Sequence, residues 1–200
     1  MSRPRRPVTR RAPRKILVYG SREFGQVIRD LVVQCGYAFA GFVDDVNAGD
    51  GILGAWSEVA RSHSASSHAV AMAIGYRHLR ERRELCARVR SQGYATPAFV
   101  HPRAYVRDPA AIGEGAFIMA GAVVDVGASV GAFAVVWPGA TVNHHSRVGG
   151  NTFISPNVAV CGHSAVGEDC FIGAGAVIVD HQSVPSGSFV KAGSVYAGAQ

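Results

Sequence analysis

The 200-residue chain is 48% hydrophobic and 17% charged, a balance that excludes an intrinsically disordered protein and leaves room for one large domain or two small ones. Its formal charge of +6 first suggests a nucleic-acid partner, but the distribution of charge removes that reading. Seven basic residues (Arg3, Arg5, Arg6, Arg10, Arg11, Arg14 and Lys15) and no acid occupy the first 15 positions, and the remaining 185 residues carry 13 basic against 14 acidic groups. A near-neutral body with a basic tail is not a nucleic-acid-binding domain. Nothing approaches the ~18 consecutive apolar residues of a membrane span. The Arg/Pro-rich residues 1–14 lack the apolar segment of a secretory signal and read as a disordered tail. Cys35, Cys86, Cys161 and Cys170 form no CxxC pair, so free thiols and a cytoplasmic location are expected.

Residues 15–100 alternate strands and helices. Ile16–Tyr19 is a short apolar run that ends at Gly20 and reads as a buried parallel strand. Phe24, Val27, Ile28 and Leu31 then follow helical spacing over residues 23–34. Tyr37–Val43 reads as a second strand, ending in Asp44 and Asp45, and Val70–Ile74 as a third, ending in Gly75. Residues 77–92 form a charged amphipathic helix with Leu79, Leu85 and Val89 on one side. This order predicts a small, Rossmann-like parallel sheet with its ligand beyond the carboxyl ends of the strands.

Residues 101–200 change character: 15 of the 24 glycines fall in 111–200, with only seven charged residues. From Ile112, every sixth residue up to Val190 is Ile or Val, fourteen in register. Four residues after each comes a second column, most of it small: Ala116, Ala122, Ala128, Ala134 and Ala140 lead it. Gly or Asn often stands third after the aliphatic, as at Gly115, Gly121, Asn151 and Asn157, and both tolerate the positive φ of a corner. Such a repeat predicts a β-solenoid with the branched column inside.

The hexads Ile112-Gly113-Glu114-Gly115 and Ile172-Gly173-Ala174-Gly175-Ala176 resemble those of the hexapeptide-repeat acyltransferases. The preceding α/β unit, with its Phe42-Val43-Asp44-Asp45 strand end and its passage through Val100-His101-Pro102 into the repeat, is similar to the PglD/NeuD branch of sugar N- and O-acyltransferases. The resemblance implies a left-handed parallel β-helix of four to five coils, three hexads to each. It also implies a homotrimer with sites between subunits, an N-terminal domain that binds a nucleotide-linked amino sugar, and acetyl-CoA as co-substrate lying along the coils. The implied activity is N-acetylation of the sugar amine in bacterial surface-glycan synthesis. O-acetylation of a hydroxyl, or a trimer that binds nucleotide sugar without turnover, are the alternatives.

Acyl transfer from a thioester needs a base for the acceptor proton and donors for the oxyanion. In Asn143-His144-His145-Ser146-Arg147-Val148-Gly149, His144 matches the family's base, and His145 stands where the family has an acid that orients it. Trp137 and Phe153 replace a family Asn and a family His near the acceptor, which predicts a more aromatic pocket. Gly20-Ser21-Arg22-Glu23-Phe24-Gly25 keeps the outer glycines of GxGxxG but places Arg22 at the middle one, which argues against a standard NAD site and leaves room for a nucleotide-sugar diphosphate at the helix N-terminus with Arg22 as its partner. Gly20, Ser21, Arg22, Asp44, Asp45 and Gly75 are the expected nucleotide-sugar contacts. Gly162, His163, Gly173, Ala174, Gly175 and Ala176 are the expected acetyl-CoA contacts, with Gly162 as an oxyanion donor. His145, His163 and His181 lie 18 apart and stack on successive coils. A metal or an anion could bind such a ladder, but no carboxylate or Cys completes a familiar ligand set, so no metal is expected.

Overall fold

The computed structural model describes residues 15–198; the expected basic tail, residues 1–14, lies outside them. Strand β1 (Lys15–Tyr19) leads to helix α1 (Glu23–Gln34), β2 (Phe39–Val43), helix α2 (Trp56–Ser62), β3 (His68–Met72) and helix α3 (Leu79–Ser91). The three strands are parallel in the order β2-β1-β3. Ile16, Leu17 and Val18 of the central strand are completely buried, as both faces of a parallel sheet require. The seven-residue α2 is too short to show helical periodicity. Its start is fixed instead by the Asp45 carboxylate, which accepts from the Trp56 N–H at 2.7 Å.

From Phe99 the chain winds into a three-sided parallel β-solenoid of two-residue strands, about five turns long. Two six-stranded faces and one four-stranded face result. The coil begins two hexads before Ile112, because Val100 and Val106 already occupy the aliphatic column. The Ile and Val side chains fill the prism, nearly all of them at most 6% exposed, and each contributes roughly 1.5–3 kcal/mol by leaving water. The small column lies inside with them. Ser146 within it donates to the Cys161 carbonyl at 2.6 Å and accepts from the Ser164 N–H at 3.2 Å, which ties adjacent coils together.

The corners explain the histidine column. From Ile112 onward the residue third after each aliphatic adopts positive φ whether or not it is glycine: Phe133, His145, Asn151, Asn157, His163, Asp169 and His181 have φ between 55° and 60°. This left-handed geometry costs about 1–2 kcal/mol for a residue with a Cβ. It turns the amide back onto the preceding coil, where His145 donates to Val126 O (2.9 Å), His163 to His144 O (3.0 Å) and His181 to Gly162 O (3.0 Å).

One outward column joins the two parts of the fold. Phe99, Phe117, Val135, Phe153, Phe171 and Phe189 pair in register along one face. The first four are buried against α1 and its neighbours, Phe24 sitting 6.2 Å from Phe117 and 5.8 Å from Phe153. Beside this aromatic keel runs a polar seam. Arg82 of α3 is fully buried and donates to Phe133 O (2.7 Å), to Asn151 Oδ1 and to Met72 O (3.5 Å), with its guanidinium 5.3 Å from the Phe153 ring centre. Asn151 passes the bond on to Asp169 (2.7 Å), which also pairs with Arg83 (2.6 Å).

Candidate active site

Three features carry most of the residues expected to act. The first is a cleft of about 910 Å³ beyond the carboxyl ends of the strands, lined by Gly20, Ser21, Arg22, Asp44, Asn47 and Gly75 among others. Its floor depends on the two retained glycines. A Cβ on Gly20, where φ is +107°, would lie 2.5 Å from Ala73 O, and one on Gly25 would lie 2.1 Å from Gly20 O. The Asp44 carboxylate accepts from Ser21 N (3.2 Å), Ser21 Oγ (2.5 Å), Val46 N (3.0 Å) and Asn47 N (2.8 Å). Burial alone would raise its pKa, but the donors from Ser21, Asn47 and Val46 outweigh that and hold the carboxyl well below the usual carboxylate range. Asp44 thus organises the cleft with most of its acceptor capacity already in use. Asp45 turns away from it and accepts from the Tyr19 hydroxyl (2.5 Å) and from Trp56 N. Arg77 and His78, which were not singled out from the sequence, line the same cleft. They directly follow Gly75-Tyr76, so the strand-end rule that picked Gly75 covers them as well.

The second feature is an apolar groove of about 550 Å³ between the keel and the prism edge, lined by Tyr76, Trp137, Ser155, Pro156, Phe171, Gly173, Ala174, Phe189, Lys191 and Ala192. It brings together Trp137, expected near the acceptor, and Gly173 and Ala174, expected near acetyl-CoA. Tyr76 lines both clefts and stacks on Phe171 at 4.1 Å. Five of the expected acceptor and acetyl-CoA contacts lie outside this groove: Gly162 and His163 on the next edge of the prism, and Phe153, Gly175 and Ala176. Phe153 is 2% exposed within the keel, and Ala176 is 0% exposed inside the prism, so neither offers a surface to a ligand. Gly175 is a corner residue with φ +67°.

The third feature is the histidine corner. His144 is exposed, and its imidazole packs against Gly162: a Cβ there would meet Cε1 at 2.4 Å and Nε2 at 2.6 Å. Gly162 is therefore glycine for space, not for φ. Among the described residues its own N–H takes no part in the coil-to-coil ladder. His145 leans toward Gly127, where an added Cβ would lie 2.9 Å from Cδ2. The His145, His163 and His181 rings stack as their 18-residue spacing predicts, at 4.9 Å with planes 2° and 4° apart. His144 crosses them nearly edge-on, at 78° to His145 and 80° to His163. Partial desolvation, followed by repulsion from His145, His181 and His144, pushes the His163 pKa down.

Neither cleft includes His144. The groove opens where the chain leaves the keel face at Trp137 and Ser155. The histidine corner follows the next face, after Thr141–Val142. Within one chain the base candidate and the binding clefts lie on different edges of the prism. No helix among the described residues is long and apolar enough to cross a membrane.

Residues 15–84 match the family model of the PglD N-terminal domain, and residues 145–180 match that of the bacterial transferase hexapeptide (six repeats). Among solved structures, the acetyltransferase domain of PglB from Neisseria gonorrhoeae FA1090 is 28% identical with a TM-score of 0.81, over 91% of this chain and 90% of that one. The same domain in complex with acetyl coenzyme A matches over 94% and 95% at the same identity and TM-score. PerB from Caulobacter crescentus, in complex with CoA and GDP-perosamine, is 28% identical with a TM-score of 0.82, over 92% and 89%. The comparison with curated proteins returned no match.

Proposed function

We propose, from the premise that this chain belongs to the PglD/NeuD branch of the hexapeptide-repeat acyltransferases and is a sugar acetyltransferase, that it transfers the acetyl group of acetyl-CoA to the amine of a nucleotide-linked amino sugar. The reading places it in the cytoplasm, in the synthesis of bacterial surface glycan. The observation that carries it is the His144 imidazole held against Gly162 at an exposed corner, in a chain similar to a protein that binds CoA and GDP-perosamine together.

In this reading the nucleotide lies in the strand-end cleft. Its diphosphate meets Arg22 at the start of α1 and Arg77 just before α3. The sugar extends past Tyr76 toward Trp137, and the pantetheine arm passes the small residues Gly173 and Ala174. The amine attacks the thioester carbonyl while neutral His144 accepts its proton. The Gly162 N–H donates to the oxyanion as it forms. Collapse of the tetrahedral intermediate expels the CoA thiolate, which takes the proton back from His144.

A second copy of the chain is what completes this site. The outward face beside the histidine corner presents Tyr105, Val123, Thr141, Ala159, Val177 and Val195. Tyr105 is 54% exposed and Val195 67% exposed. In a homotrimer packed through this face, the His144 edge of one subunit lies against the clefts of the next, which supplies the junction that one chain lacks.

The test is His144→Ala, assayed with acetyl-CoA and a panel of nucleotide-linked amino sugars. Turnover should be lost, while CoA binding by calorimetry and the trimer by light scattering persist. Wild-type rates in this variant would reject the role of His144. Acetylation of hydroxyl but not amine acceptors would identify an O-acetyltransferase. A wild-type protein that binds nucleotide sugar but not acetyl-CoA would reject catalysis altogether.

A further inference from the structure

The sequence aligns His145, His163 and His181 in one column but leaves His144 out of it. Parallel rings 4.9 Å apart do not by themselves converge on a common ligand. His144 changes this, because it comes from the adjacent column and crosses two of the stacked rings edge-on. One ring nitrogen from each of His144, His145 and His163 lies within 4.8 Å of the other two.

Tetrahedral coordination at about 2.0–2.1 Å from each nitrogen requires nitrogens about 3.3 Å apart. The Nδ1 atoms of His144 and His145 are 3.4 Å apart, so this pair already has the spacing of a two-point clamp. His163 has to close the remaining gap. Its ring is exposed and can turn, while its backbone is fixed to the His144 carbonyl at 3.0 Å. Gly162 and Gly127 clear the space in which the His144 and His145 rings lie. Three imidazoles and no carboxylate form a donor set for Zn²⁺, Ni²⁺ or Cu²⁺, and not for Mg²⁺ or Ca²⁺.

We infer that His144, His145 and His163 form a binding site for a first-row divalent cation of the Zn²⁺ class, and that the bound cation takes the lone pair of His144 and stops acetyl transfer. The inhibitory part rests on the function proposed above; the binding part does not. A neutral imidazole has one basic lone pair, its other ring nitrogen carrying the proton, so a chain whose His144 coordinates the cation has no free base at this corner. The device would couple sugar acetylation to the availability of free zinc.

The experiment titrates untagged, chelator-stripped full-length protein with ZnCl₂ by calorimetry. One cation should bind per chain, with no heat from MgCl₂. His163→Asn should weaken the zinc affinity at least tenfold, since loss of even an outer-shell partner of a ligand costs about 10–100-fold. His181→Asn, outside the triplet, should stay within about twofold. In parallel, the acetylated sugar is quantified by mass spectrometry, because a free-thiol readout would itself bind zinc. Zinc should suppress product formation, and chelator should restore it. Absence of zinc binding, or equal affinity in His163→Asn, would overturn the site. Tight binding at the triplet with undiminished product would overturn the inhibition. If the zinc-free protein makes no product from any donor and acceptor tried, the proposed function fails while the calorimetric result still decides the site.

Discussion

Gly162→Ala tests the histidine corner without touching a histidine. The backbone at Gly162 does not require positive φ, so alanine is conformationally acceptable there. Its methyl carbon would sit 2.4 Å from His144 Cε1 and 2.6 Å from Nε2, whereas ordinary contact begins near 3.4 Å. The ring must therefore move by about 1 Å. Because the ring is the exposed end of a side chain, it moves at little cost to the fold, within the ~0.5 kcal/mol usual for surface substitutions. A displacement of about 1 Å at a reacting group can cost ~10²-fold in rate, equivalent to about 2.7 kcal/mol in the barrier. The expected outcome is a kcat about a hundredfold lower, read as acetylated product, with an unchanged melting temperature and trimer. In a His144→Ala background the same change should add nothing. An unaltered kcat in Gly162→Ala would refute the claim that the position of this imidazole governs the reaction, and a large fall in melting temperature would show that Gly162 serves the coil instead.

Two further outcomes concern the framework. Arg82→Ala removes the donor to two buried acceptors, Phe133 O and Asn151 Oδ1, at ~1–3 kcal/mol each, along with its contact to the Phe153 ring. We expect a loss of roughly 3–4 kcal/mol in urea unfolding, and a loss under 1 kcal/mol would show the seam to be dispensable. Asp44 has a folded pKa below its ordinary value of 3.8. Its contribution is thus present above that value and lost as the pH falls toward the folded one. Stability should decline below about pH 4 in the wild type, with a shallower decline in Asp44→Asn, measured as urea midpoints; parallel acid limbs would contradict the bonding described at Asp44.

The solenoid was readable because its interior accepts one kind of side chain at one interval, and fourteen successive positions obey. Its first turn was hidden because Arg103 and Pro109 occupy corner positions where glycine or asparagine would have announced the coil. Helix α2 escaped because it is only seven residues long and its start is held chiefly by Asp45, eleven residues earlier, with Glu58 adding a longer contact of 3.4 Å to the Ala55 N–H. Arg82 looks like one more charge on the solvated face of a basic helix, and only the packing of α3 against the coil reveals it as a buried link. Phe153 is hidden in the same way. Its column recurs every eighteen residues and faces α1 over most of its length, so substitution of a polar residue by phenylalanine there strengthens a seam. The spacing of His145, His163 and His181 was visible in the chain, but the approach of His144 from the adjoining column depends on how the corner is folded.

The keel has a consequence for how this molecule can change length. A whole coil is 18 residues, so an insertion or deletion of that size keeps every aliphatic inside and every corner in place. It also slides everything beyond it by one strand spacing, about 4.8 Å. The α/β unit is clamped to particular rungs, Phe99 through Phe153. A coil added beyond Ala192 would therefore leave the distance between nucleotide cleft and histidine corner untouched, whereas one added between Phe117 and Thr141 would pull them apart by a full step. Growth of the prism is quantised, and only its far end is free to grow without moving the reacting groups.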